Sequence, residues 1–259
     1  MKFGLAQPAL RKEDVRFLTG DGVYVDDNSP EGAAHAFFLR SPLAHGRISS
    51  IDAEAARQAP GVIGVLTGPE LSARIDNSLD AAVVKNRDGS NGASPRRPAL
   101  ADETVMFVGE AVAVVVAETL DQARDAAELI EVDYDELPAA YTTANAENEP
   151  EMFPEVAPKN VAFDWATGDE DATKAAFDGA AHVVELPLVN NRVITVSMEP
   201  RACFAHWDGE RMHFEYNGQG VWGLKAVISQ KLGLKPEQVR VTTPDVGGGF
   251  GMKLQAHPE

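Results

Sequence analysis

Residues Ala111 to Ala117 read Ala-Val-Ala-Val-Val-Val-Ala. An unbroken, largely β-branched run of this kind has no polar face to offer water, so it predicts a strand buried on both sides, and the chain must supply layers to cover it. Val105 to Val108 reads as part of the same strand region. Immediately after it, Thr119 and Gln122 fit a capping box, and the helix that follows places Leu120, Ala123, Ala127 and Ile130 on one face. Val132, Tyr134 and Leu137 alternate as a further strand closed by Pro138. Upstream, Ala33 to Arg40 is an apolar strand stopped at Ser41-Pro42. Ile51 to Gln58 is Ala-rich and helical in propensity, Pro60-Gly61 breaks it, and Val62 to Leu66 is the next strand. Residues 75–99, with little periodicity and many Asn, Gly and Pro, read as an exposed loop.

Residues 142–160 are rich in Pro and Asx and lack apolar spacing, which marks a domain boundary. Beyond it the pattern predicts a short helix capped near Asp169 and running to Phe177. A strand over Ala181 to Val189, a turn at His206-Trp207-Asp208-Gly209 and a strand over Met212 to Tyr216 follow. A helix over Val221 to Leu232 and a strand over Val239 to Thr243 complete the series. The first twenty residues, with Pro8, many charges and Gly20, read as an arm that docks on something else.

The charge balance removes several function classes. With 23 Lys and Arg against 40 Asp and Glu the net charge is −17, the wrong sign for displacing counterions from nucleic acid, and the one basic cluster, Arg96-Arg97, sits in a loop. The apolar run at Ala111–Ala117 is far shorter than the roughly 20 residues a membrane span requires. The first residues show neither a secretory signal nor a twin-Arg pair, so the expected compartment is the cytoplasm. The single cysteine, Cys203, cannot form an internal disulfide or hold an all-cysteine iron-sulfur cluster, and it reads as an ordinary small core residue. Eight carboxylates between Glu118 and Glu136 read as a solvated face. His35, His45, His182, His206, His213 and His257 lack clustered ligand spacing, and no G-x-S-x-G elbow occurs.

Two glycine motifs remain. Gly218-Gln219-Gly220-Val221-Trp222-Gly223 satisfies G-x-G-x-x-G between a strand and a helix, with Asp245 at the end of the next strand, as a dinucleotide site would require. The second run, Gly247-Gly248-Gly249-Phe250-Gly251, is a poor helix or strand interior. Its value is geometric: backbone without Cβ atoms lets N–H groups converge on an anionic ligand, with Phe250 as the loop's one wall.

Pro244-Asp245-Val246-Gly247-Gly248-Gly249-Phe250-Gly251-Met252-Lys253 resembles the molybdenum-cofactor loop of the large subunits of the xanthine dehydrogenase, aldehyde oxidase and carbon monoxide dehydrogenase family. Other stretches fit in order. Arg11 to Gly20 resembles the family's N-terminal arm and Arg40 to Ile48 its first core motif. Pro60-Gly61-Val62, Val108 to Val115 and Val132 to Pro138 resemble its α/β hammerhead domain, and Met198-Glu199-Pro200-Arg201 the start of its cofactor-binding domain.

The resemblance implies an α+β fold: an arm over 1–20, an α/β hammerhead domain over 21–145, and over 146–259 the first α/β segment of an aldehyde oxidase-type molybdopterin-binding domain. It implies a molybdenum–molybdopterin cofactor, the cytosine dinucleotide form included, contacted by Gln219, Gly248, Gly249, Phe250 and Gly251, with Gln219 and Phe250 beside the metal. Iron-sulfur and FAD subunits would be partners in a hetero-oligomer, and a water-derived oxygen would oxidise a small aldehyde, heterocycle or carbon monoxide-like substrate. Leu254 stands where purine-oxidising members carry a glutamate, which argues against a purine. The family's catalytic glutamate is expected beyond Glu259, so no catalytic residue is assigned, and Glu199 is expected to pair with Arg201 or a backbone N–H. Two other readings stay open: a non-catalytic hammerhead scaffold or interaction module, and a dinucleotide-binding oxidoreductase through Gly218–Gly223.

Overall fold

The computed structural model describes residues 10–79, 83–191 and 193–258. The chain divides into two compact units, one running from Ala34 to Ile194 and the other joining the residues before Ala34 to Thr195–His257. The arm carries a short helix, α1 (Asp14–Leu18).

The Ala34–Ile194 unit holds two three-stranded antiparallel sheets. In one, β5 (Ala111–Ala117) is central between β1 (His35–Arg40) and β3 (Val62–Thr67). In the other, β2 (Gly46–Asp52) lies between β4 (Thr104–Val105) and β6 (Glu131–Glu136). The run at 111–117 is buried as its composition demands. Ala113, Val115 and Ala117 join one core with Ala123, Ala126 and Ala127 of helix α4 (Leu120–Ala127), while Val112 joins a second core with Ala101 and Val105. Alternate residues of one strand thus feed two cores. The capping box is present: Gln122 N donates to Thr119 Oγ1 at 3.2 Å, and Thr119 N donates to Gln122 Oε1 at 3.0 Å.

Some local expectations fail for tertiary reasons. Ile51 and Asp52 belong to β2, and the expected helix over 51–58 shrinks to α2 (Glu54–Arg57). Pairing with β6 outweighs the Ala-rich propensity, aided by Ser49 and Ser50 donating to Asp135 and Asp133. Of the expected strand over 105–108 only Val105 pairs, as the end of β4. Phe107 and Val108 are exposed beside Gly109, whose φ of +90° turns the chain. A one-turn helix, α3 (Gly68–Ser72), follows β3. The loop over 75–99 is exposed at many positions but pinned by buried Asn77, which accepts from Ala99 N and Leu100 N and donates to Leu100 O; residues 80–82 of that expectation lie outside the described residues. The helix α5 (Glu170–Asp178) appears with its Asp169 cap, whose side chain accepts from Ala172 N. Ala181 to Val189 is not a strand: it is exposed throughout and pairs with no strand among the described residues.

In the other unit, β7 (Cys203–Trp207) pairs antiparallel with β8 (Met212–Tyr216), and β8 pairs parallel with β9 (Val239–Thr242) through the crossover helix α6 (Val221–Lys231). His206 and Trp207, expected in a turn, end β7, and the reversal falls at Asp208–Arg211. No helix of the described residues is long and apolar enough to cross a membrane.

Candidate functional site

Strands β8 and β9 run parallel, so the segments leaving their carboxyl ends emerge side by side. One carries Gln219 into α6 and the other carries the loop Gly247–Gly251. Gln219 joins the two. Its Oε1 accepts from Gly251 N at 2.9 Å and Lys253 N at 3.3 Å, while its backbone N donates to Lys253 O at 3.0 Å. Because the oxygen meets these N–H groups, Nε2 is the amide's remaining polar atom, a donor at an exposed residue.

The loop is built on absent side chains. A Cβ on Gly249 would lie 2.7 Å from Gln219 Cδ, and one on Gly247 would lie 2.4 Å from Glu199 Cβ. Gly248 has φ +106°, and Phe250 itself adopts φ +51° and is 73% exposed. A bulky residue in the left-handed region is uncommon and is held there by its surroundings. Gly251 N–H is taken by Gln219 and Gly247 N–H by Glu199, so Gly248, Gly249 and Phe250 carry the loop N–H groups with no acceptor among the described residues. Three adjacent backbone N–H groups without an internal acceptor are what an anion-binding loop requires.

Glu199 lies beneath the loop. Its Oε2 accepts from Gly247 N at 2.7 Å, the backbone partner foreseen, but its cation is Lys253 at 3.0 Å rather than Arg201. Lys253 is buried, its side chain 1% exposed. Glu199 Oε1 and Ser197 Oγ are buried without a hydrogen-bond partner. Lys253 and Ser197 were not legible as site residues, because nothing in their local pattern shows which long-range carboxylate or loop they meet.

Asp245 has another task. Arg16 of the arm pairs with both its carboxylate oxygens, Nη2 to Oδ1 at 2.6 Å, and Val23 N donates to Oδ2 at 2.8 Å. The Arg16 hydrogen bond, followed by that of Val23, holds this carboxyl below the usual carboxylate range. An acid so occupied is not a free ribose ligand. A Cβ on Gly223 would meet nothing within 4 Å, so this glycine does not serve the close helix–strand packing that the third glycine of a dinucleotide fingerprint provides. The strand–helix–strand geometry is real, but the fingerprint's functional parts are used otherwise.

Cys203 is exposed on β7 rather than a core residue, and it borders a small cavity with Phe214, Tyr216 and Leu224. Among the described residues no group of three or more His, Cys, Asp or Glu could hold a metal ion.

Comparison with known proteins gives a consistent result. Residues 19–138 match the family described as aldehyde oxidase and xanthine dehydrogenase, a/b hammerhead domain, and residues 153–259 match the molybdopterin cofactor-binding domain. The chain belongs to the aldehyde oxidase and xanthine dehydrogenase family. It is 34% identical to the carbon monoxide dehydrogenase large chain of Hydrogenophaga pseudoflava over 98% of its own length and 32% of that protein's. It is 33% identical to the nicotine 6-hydroxylase large subunit of Paenarthrobacter nicotinovorans, covering 96% of this chain and 30% of that one. The structure of quinoline 2-oxidoreductase from Pseudomonas putida 86 superposes with a TM-score of 0.80 at 34% identity, over 96% of this chain and 31% of that one. The chain therefore spans about a third of the length of these molybdenum hydroxylase relatives. The unpaired N–H groups of Gly248, Gly249 and Phe250, on a loop where Cβ atoms would clash, fit an anionic dithiolene–pterin group.

Proposed function

We propose that this chain is part of the large subunit of a molybdenum hydroxylase that oxidises a carbon centre of a small molecule with oxygen derived from water. The observation that carries the reading is the convergence of Gln219 with a glycine loop whose Gly248, Gly249 and Phe250 N–H groups face no internal acceptor. When bound, the molybdenum cofactor supplies two-electron redox chemistry. The chain's own residues would bind and orient it: the loop N–H groups would meet its negative charge, Gly251 would allow close backbone approach, and Gln219 Nε2 would offer it a hydrogen-bond donor. Phe250, exposed and in a left-handed backbone conformation, would form the wall that sheds water from the bound group.

The relatives are named for carbon monoxide, nicotine and quinoline, so the substrate class stays broad: an aldehyde, a nitrogen heterocycle or a carbon monoxide-like molecule. The reading includes iron-sulfur and FAD subunits that accept the electrons, a cytoplasmic setting, and a general base supplied by residues outside this sequence. It takes 1–20 as the arm, 21–145 as the hammerhead domain and 146–259 as the start of the cofactor domain.

The test is elemental analysis of the protein purified from its source with its accompanying subunits. About one molybdenum per chain is expected, falling severalfold in Gln219→Ala and Gly249→Val. A protein without molybdenum or pterin would return the chain to the scaffold reading.

A further inference from the structure

The buried Glu199–Lys253 pair is not used in that account, although it touches the loop at both ends. Glu199 Oε2 receives Gly247 N–H at the loop's start and the ammonium of Lys253 just past its end, at 2.7 and 3.0 Å. Lys253 in turn gives its backbone C=O and N–H to Gln219. The five-residue loop is therefore closed by one carboxylate, and the same closure sets the position of Gln219.

Burying such a pair is a costly way to gain stability alone, because desolvation offsets much of the attraction. A pair held this deeply, with side chains 1% and 13% exposed, serves geometry better. A second observation points to the cradle. Glu199 Oε1 and Ser197 Oγ are buried and unpartnered, and a Cβ on Gly248 would lie 3.3 Å from Ser197 Oγ, so the Ser197 hydroxyl lies against the loop itself.

We propose that Glu199 and Lys253 are positioning residues: the pair presets the loop so that the Gly248, Gly249 and Phe250 N–H groups and the Gln219 amide hold their orientation before any ligand arrives. The proposal rests on the molybdenum hydroxylase reading for what the loop holds, but the closure itself is independent of it.

The test uses Lys253→Met, Glu199→Gln and the double variant, each in the protein purified with its accompanying subunits. Amide exchange across residues 245–253 and molybdenum per chain are both read. Each single variant strands a charged or polar partner, so loop exchange rises about tenfold or more, whereas the double variant returns to within about threefold of the unmodified protein. Recovery of the double variant as a folded protein where a single variant is lost counts as the same coupling. Single-variant effects that simply multiply in the double variant, or unchanged loop exchange in all three, overturn the proposal. Molybdenum content keeps the two claims apart. Lost loop protection with full molybdenum overturns the positioning role, whereas coupled protection in a protein whose unmodified form lacks molybdenum overturns the cofactor reading and leaves the clamp standing.

Discussion

The two units of this chain are held together differently. Among the described residues, the Ala34–Ile194 unit has an almost wholly apolar interior of Ala, Val, Leu and Ile on strands, helices and the segments between them, with Asn77 and Glu110 among its few buried polar side chains. In the other unit the buried apolar side chains are Val25 and Val239, while Ser197, Asn217, Ser229 and Lys253 are buried polar or charged. One interior is organised by area removed from water, which is non-directional; in the other the buried Asn217 and Lys253 side chains are held by hydrogen bonds, which fix angles. The unit that carries the glycine cradle is the one ordered by direction.

That contrast can be broken by substitution. The largest effect is expected from Leu100→Ala, which opens a cavity at a side chain 2% exposed and should cost about 2–5 kcal/mol in calorimetric or denaturant unfolding. Exchange at residues 247–251 should stay unchanged, and a response there would show that the cradle also depends on the apolar core.

Next comes Asn217→Ala. Asn217 Oδ1 accepts from Ala202 N at 3.0 Å and its Nδ2 donates to Pro200 O at 2.6 Å, so the truncation leaves buried backbone groups unpaired, at about 2 kcal/mol. A cost near zero would mean that water reaches those groups, and the description of a directionally bonded interior would fall. Thr119→Ala should remove about 1 kcal/mol by unsatisfying the first turn of α4, with Thr119→Ser keeping most of it.

The smallest effect is electrostatic. The N–H groups of Glu210 and Arg211, then His213, hold the Asp208 carboxyl well below its usual range. A depressed folded value means that its contribution is present above the ordinary carboxylate value of about 4 and fades as pH falls through the folded value. Asp208→Ala should therefore lower stability slightly at neutral pH, where the contribution is present, and flatten the acid limb of the stability curve, so that variant and parent converge as pH falls. A variant as acid-sensitive as the parent would remove the assignment.

How much was legible follows from where each signal lives. The strand over 111–117, the Thr119 cap, the Asp169 cap and the strand–helix–strand of β8, α6 and β9 are local patterns, and each appears where its residues place it. The failures are strands whose evidence is a neighbour. Gly46–Asp52 and Cys203–Trp207 are strands because β6 and β8 lie beside them, and Ala181–Val189, with strand-like composition, has none beside it among the described residues. In the site, the loop glycines and Gln219 were visible as a motif, whereas Lys253 as the partner of Glu199 and Arg16 as the partner of Asp245 were not.

By itself the sequence determined the family, the paired apolar layers around 111–117 and a glycine loop whose missing Cβ atoms dictate close backbone approach. The tertiary structure alone decided which charges meet across 54 and 229 residues of chain and which strand edges find partners. Composition and periodicity report what each residue prefers, whereas a hydrogen bond or an ion pair exists only once folding has brought both of its atoms within about 3 Å.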